Sequence, residues 1–116
     1  MDFQEYEERA WNCAMYYAKG RGDTLYPFWG LAGEAGEICN KIKKEMRDGC
    51  AIDLTPNKMS PEKRSELMYE LGDVLWYINA CAKELGCTLE EVAANNIVKL
   101  ESRKARNTIQ GSGDNR

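Results

Sequence analysis

A chain of 116 residues is long enough for one small hydrophobic core but short of the surface that a deep, self-contained cleft requires. With 43% hydrophobic and 30% charged residues it reads as a soluble globular protein, and a formal charge of -3 excludes bulk attraction to nucleic acid or to an anionic membrane. No histidine is present and the five cysteines form no CxxC pair, which excludes zinc-finger chemistry.

Asp2 and Glu5 have the spacing of a capping box and open a helix over about residues 3–19, which Gly20, Gly22 and Asp23 then stop. A second helical pattern runs from about Tyr26 to Arg47, with Leu31, Ala35, Ile38 and Ile42 at spacings of three and four. The stretch from Asp48 to Ser60, with Gly49, Pro56 and Asn57, reads as a loop. Ser60-Pro61 is an N-cap followed by proline at the first helical position, and the pattern Leu67, Leu71, Val74, Ile78, Ala82, Leu85 carries the longest helix to Gly86. Thr88 with Glu91 makes a further capping box for a fourth helix.

The expectation is therefore an all-α, four-helix bundle in one domain over residues 1–106, with residues 107–116 as a mobile tail. No segment has the length and apolarity of a signal peptide or membrane span, and four of the cysteines fall in apolar or helical stretches. Both features fit reduced, packed thiols in a cytoplasmic protein.

Helices two and three share a layout. At about 100° per residue, Glu34 and Glu37 fall roughly 300° and 240° from Leu31, and Glu70 and Asp73 fall at the same two angles from Leu67. Each helix thus carries two acids on the same flank of its apolar stripe. Acids at i and i+3 share a helical face with Cβ atoms about 5–6 Å apart, and packing the helices gathers four negative charges. A divalent cation compensates for that repulsion. All-oxygen ligands without histidine select a hard ion, Mg²⁺ with Mn²⁺ as a substitute. The plain alternative is a solvated rim of two amphipathic helices. Gly33, Gly36 and Gly72 weigh against it, since glycine in a helix interior costs about 1 kcal/mol relative to alanine and implies close backbone approach beside the acids.

The segment Gly30-Leu-Ala-Gly-Glu-Ala-Gly-Glu-Ile-Cys-Asn-Lys-Ile-Lys-Lys44 and the later Glu70-Leu-Gly-Asp-Val-Leu-Trp-Tyr77 closely resemble the MazG-like, all-α nucleoside triphosphate pyrophosphohydrolases. The family's Glu-x-x-Glu and Glu-x-x-Asp pairs fall on Glu34/Glu37 and Glu70/Asp73, and its Asn-x-x-Lys-Leu stretch on the residues from Asn96 to Leu100. The resemblance covers roughly residues 3–106. One departure is the 32-residue spacer between Glu37 and Glu70, longer than is usual in the family.

This resemblance implies cleavage of a nucleoside triphosphate between its α and β phosphates, giving a monophosphate and pyrophosphate. The four acids are then the metal ligands and catalytic residues, with Glu37 as the candidate general base. Lys41, Lys99 and Arg103 are candidate phosphate contacts, and Asn96 is a candidate for the sugar or base. Trp29 and Tyr77 are candidates for stacking, with core packing as the alternative for Tyr77. Two other readings stand beside this one: a phosphoribosyl-ATP pyrophosphohydrolase of the same fold and metal logic, and a non-catalytic helical interaction module. The wide apolar stripe of the third helix adds the expectation of a homodimer or homotetramer.

Overall fold

Four helices in chain order make up the computed structural model, which describes residues 1–22, 25–48 and 59–115: α1 (Phe3–Asn12), α2 (Leu25–Arg47), α3 (Pro61–Glu84) and α4 (Leu89–Ala105). Asp23 and most of the loop expected over 48–60, including Gly49, Cys50, Pro56 and Asn57, lie outside the described residues. No strand occurs among the described residues, as the helical periodicities require, and none of the helices is long and apolar enough to cross a membrane.

The helix ends follow local chemistry. The Asp2 carboxylate accepts the Glu5 amide at 2.8 Å, while the Glu5 carboxylate turns instead to Arg9 at 3.0 Å. Ser60 caps α3 by accepting the Lys63 amide at 3.1 Å, ahead of a proline whose missing N–H leaves no donor unpaired there. At the other end Gly86 takes a φ of 74°, and the amides of Gly86 and Cys87 donate to the carbonyls of Lys83 and Ala82, a Schellman closure that a glycine at this position makes without steric cost. Thr88 and Glu91 form the full reciprocal capping box of α4.

The first helix departs from the sequence expectation by ending at Asn12 instead of running to about residue 19. Residues 13–22 form turns that a distant carboxylate holds. Glu84, at the end of α3, accepts the Tyr16 hydroxyl at 2.6 Å and the amides of Gly20 and Gly22 at 2.7 and 2.8 Å. Gly20 and Gly22 have φ near 77° and 75°, conformations that let both amides point at one acceptor.

The long helices α2 and α3 pack against each other in an antiparallel hairpin, while α1 and α4 meet at the C-terminal half of α3. Small side chains and one leucine close that junction: Ala10, Ala14, Ala80, Cys81, Ala82 and Leu89 are buried. Polar groups fasten it. The Trp76 indole donates to the Ala10 carbonyl at 3.1 Å, Asn79 donates to the Glu7 carbonyl at 3.1 Å, and the buried Glu7 carboxylate accepts the first amide of α4, from Leu89, at 2.9 Å. Of the four described cysteines, all free, Cys81 is buried, but Cys13 and Cys39 are exposed, unlike the packed thiols expected from their helical settings.

The apolar stripes are incompletely covered in the single chain. Leu71 is 58% exposed, Met68 60% and Val98 67%. The radius of gyration is 17.2 Å, against about 13 Å for a closed domain of this length.

Candidate metal centre

Antiparallel packing of α2 on α3 sets a register in which paired positions advance along α2 as they retreat along α3: Gly30 faces Tyr77, Glu34 faces Asp73, Lys41 faces Glu66, and Glu45 faces Lys63. The acids sit at the middle of this ladder. One carboxylate oxygen from each of Glu34, Glu70 and Asp73 lies within 4.8 Å of the others, with Glu34 and Glu70 half-buried and Asp73 open to solvent.

Three negative groups so placed repel by about 3 kcal/mol per pair at an effective dielectric near 20, less where Asp73 meets water. The strain shows in the proton equilibria. The Glu34 carboxyl is held above the ordinary carboxylate range, first by loss of hydration and then by repulsion from Asp73, Glu70 and Glu37. Tyr6, on α1, is likewise raised, by burial and then by Asp73. An oxygen-only, mutually repelling set with one side open to solvent fits a hard divalent cation.

Glu37 stands outside this cluster. It lies about 60° further round α2 from the apolar seam than Glu34 does, and lines a shallow depression with Gly33, Gly36, Asn40 and Lys43. Its charge still reaches Glu34, as the raised Glu34 carboxyl records.

Lys41 is engaged within the protein. Its ammonium lies 2.6 Å from Glu70 Oε1 and 3.3 Å from Glu66 Oε1, and these contacts, the one with Glu70 foremost, raise its affinity for its proton. The other Glu66 oxygen pairs with Lys63 at 2.5 Å, and Lys63 also pairs with Glu45. Lys63 and Lys41 together hold the Glu66 carboxyl below its ordinary range.

Tyrosines wall one side of the centre. Tyr77 crosses so close to α2 that a methyl group at Gly30 would overlap its ring. No such approach occurs at Gly33, Gly36 or Gly72, where an added Cβ meets open space; the tight crossing that those glycines were expected to mark is one turn earlier, at Gly30. The Tyr77 hydroxyl is pushed up to about 12 by its hydrogen bond with Tyr26, then by burial and by the neighbouring charges of Glu34 and Asp73. Tyr26 in turn stacks on Tyr16, with centroids 4.7 Å apart and planes 19° from parallel. The ring wall therefore continues to the turn clamped by Glu84.

The remaining candidates are not gathered here. Trp29 is 76% exposed on α2. Among the described residues α4 does not pack on α2, so Asn96, Lys99 and Arg103 stand apart from the Glu34 side of the centre. Asn96 lines a groove of about 880 Å³ between α1, α3 and α4 together with Phe3, Glu7, Leu75 and Leu89. Lys99 is exposed, whereas Arg103 is buried and donates to the Asp114 carbonyl at 3.0 Å, the tail having turned back at Asn107, whose φ is 57°.

Sequence reasoning passed over Tyr6, Tyr16, Tyr26, Gly30 and Glu66. Of these, Gly30 carried a local signal: it is four residues before Glu34, as the candidate Tyr77 is four after Asp73, which puts both on the acid-bearing faces.

Residues 26–107 match the model of the MazG nucleotide pyrophosphohydrolase domain. The chain is 44% identical, over 115 residues and 96% of each sequence, to the Gene 37 protein of Mycobacterium phage L5, a name that states no activity. No solved structure matches.

Proposed function

The chain belongs to the MazG nucleotide pyrophosphohydrolase family, and on that premise we propose that it hydrolyses a nucleoside or deoxynucleoside triphosphate between the α and β phosphates, with Mg²⁺ as cofactor. The observation that carries the reading is the convergence of Glu34, Glu70 and Asp73 from two helices onto one point. Bound there, a hard divalent ion supplies charge neutralisation and Lewis acidity toward phosphate oxygens, with Mn²⁺ able to replace it.

The chain's own groups divide the remaining work. Glu34, Glu70 and Asp73 hold the cation, and Glu37, close by but outside the cluster, is the carboxylate free to join it or to accept the proton of the attacking water. That water adds to one of the two phosphorus atoms flanking the α–β bridging oxygen. The bond from that phosphorus to the bridge breaks, and the products are a monophosphate and pyrophosphate. Tyr77, with Tyr26 behind it, closes one side of the site against water and offers a rigid ring for a base or sugar. Trp29 is an exposed ring on the same helix as Glu34.

A second copy of the chain completes the protein. The exposed Met68, Leu71 and Val98 and the open shape support a homodimer or a homotetramer. Such an assembly also gives Asn96, Lys99 and Arg103 a route to a partner's site, to which Arg103 comes once the tail moves aside. The test is a pyrophosphate-release screen over common and damaged nucleoside triphosphates and phosphoribosyl-ATP, with Mg²⁺ and with chelator, and Glu37→Gln as control. The reading requires Mg²⁺-dependent release from at least one nucleoside triphosphate. Release from phosphoribosyl-ATP alone would move the assignment to that activity. If no substrate is cleaved and Mg²⁺ leaves the melting temperature unchanged, the chain is a helical interaction module.

A further inference from the structure

Among the described residues, Glu70 is the one carboxylate of the cluster with a cation of its own. The Lys41 ammonium sits 2.6 Å from Glu70 Oε1, and the Glu70 side chain is only 13% exposed, so its oxygens have little water to fall back on. The same ammonium is 3.3 Å from Glu66 Oε1. Glu66 is one helical turn before Glu70 on α3, and its second oxygen is fixed from behind by Lys63, itself tied to Glu45 on α2. Lys41 therefore stands between two acceptors, one belonging to the acid cluster and one outside it.

We infer that Lys41 is a built-in counter-ion that competes with the metal for Glu70, and that Glu66 is a positioning residue that takes over the ammonium when the metal claims Glu70. The inference rests on the metal reading of the cluster proposed above. With three carboxylates crowded within 4.8 Å, an empty centre needs a positive charge, and Lys41 provides it from the α2 face. Once a divalent ion supplies that charge, an ammonium left on Glu70 would repel it. The Glu66 oxygen, already within 4 Å, gives Lys41 an alternative partner without return to bulk water. A nearly preset move of this kind lets the site stay folded without metal and load without rearranging either helix.

Mg²⁺ and Mn²⁺ chloride, titrated calorimetrically into the nucleotide-free full chain, test the inference without any turnover. Melting of each variant in chelator first establishes that it folds. Lys41→Met is expected to tighten metal binding about three- to fivefold, the scale that an ion pair of this exposure supplies. Glu66→Gln is expected to weaken it by a similar factor, because Lys41 then has Glu70 alone. Simple through-space charge gives the same two signs, so two further variants decide. Glu66→Asp keeps the charge but withdraws the oxygen, and is expected to weaken binding as Glu66→Gln does. In the Lys41→Met background, Glu66→Gln is expected to have no effect.

A Glu66→Asp protein that binds metal like the wild type, or a Glu66→Gln penalty of undiminished size without Lys41, overturns the inference. Lys41→Gln takes the place of Lys41→Met if the latter fails to fold. A chain that shows this coupling but releases no pyrophosphate would sink the enzymatic proposal and leave the counter-ion exchange standing. One that releases pyrophosphate without the coupling would do the reverse.

Discussion

Replacing Glu84 with glutamine asks how strongly one buried carboxylate organises ten residues of chain. In the wild type its two oxygens accept three hydrogen bonds, from the Tyr16 hydroxyl and the amides of Gly20 and Gly22. Burial alone would raise this carboxyl, yet the three donors together hold it below the ordinary range. Glutamine keeps one acceptor oxygen, which can still serve Tyr16 and Gly20, but turns an NH₂ toward the Gly22 amide. One charge-assisted bond becomes a donor facing a donor. Hydrogen bonds to charged groups are worth about 1.5–3 kcal/mol, and the exposed Gly22 can recover part of this from water, so the substitution should cost about 2 kcal/mol. Glu84→Ala abandons all three donors and should cost about 3–4 kcal/mol. At about 4–8 °C per kcal/mol for a domain near this size, both losses are readily seen in thermal melts.

The pH dependence carries a second check. A carboxyl whose folded-state affinity for the proton is depressed contributes stability above its unfolded range and loses it as pH falls through the folded value. The gap between wild type and Glu84→Gln should therefore be full at neutral pH and close in acid below about pH 4. Equal stability of the two proteins at pH 7, or a gap that does not change with acid, would refute the clamp. Because the clamped turn carries Tyr16, which stacks on Tyr26, the near-ultraviolet dichroism of the tyrosines should weaken as well.

Three other outcomes follow. Gly30→Ala forces a methyl into the Tyr77 ring, and should cost about 1–3 kcal/mol of stability and raise KM for the nucleotide, both measurable with the same preparation. Glu34 has a raised folded-state affinity for its proton, so its ionisation works against the metal-free fold as pH rises above the ordinary carboxylate range; Glu34→Gln should melt higher than wild type in chelator at pH 7, lose that advantage near pH 4, and forfeit most of the roughly 2.7 kcal/mol that Mg²⁺ at a hundred times its Kd adds to the wild type. Light scattering should report a dimer or a tetramer, and Leu71→Glu, which puts charge on a 58% exposed apolar position of α3, should shift the assembly toward monomer.

What was legible beforehand was what local chemistry decides. Ser60-Pro61, Thr88 with Glu91, and Gly86 mark helix ends through bonds made within a few residues, and the 3.6-residue period places the acids on matching flanks. The sequence is silent or misleading where a partner distant in it intervenes. The end of α1 depends on Glu84, far along the chain, and no propensity within residues 13–19 announces it. The glycines beside the acids were read as points of close approach, but the crossing falls at Gly30, because the antiparallel register places the Tyr77 ring there. Spacing gave Glu37 and Glu34 equal standing, yet 60° of helix rotation separates them at a packed seam. Lys41 was expected to face phosphate, and its cross-helix partners Glu70 and Glu66 could not be read without that register.

The claim beneath all of this is that Glu34, Glu70 and Asp73 form one cation site. Anomalous scattering from crystals grown with Mn²⁺ and a non-hydrolysable nucleoside triphosphate analogue tests it most directly. A manganese peak within coordination distance of all three carboxylates, with the α and β phosphates of the analogue beside it, is the expected result. Full manganese occupancy elsewhere, or an analogue bound with these three side chains pointing into solvent, would contradict it.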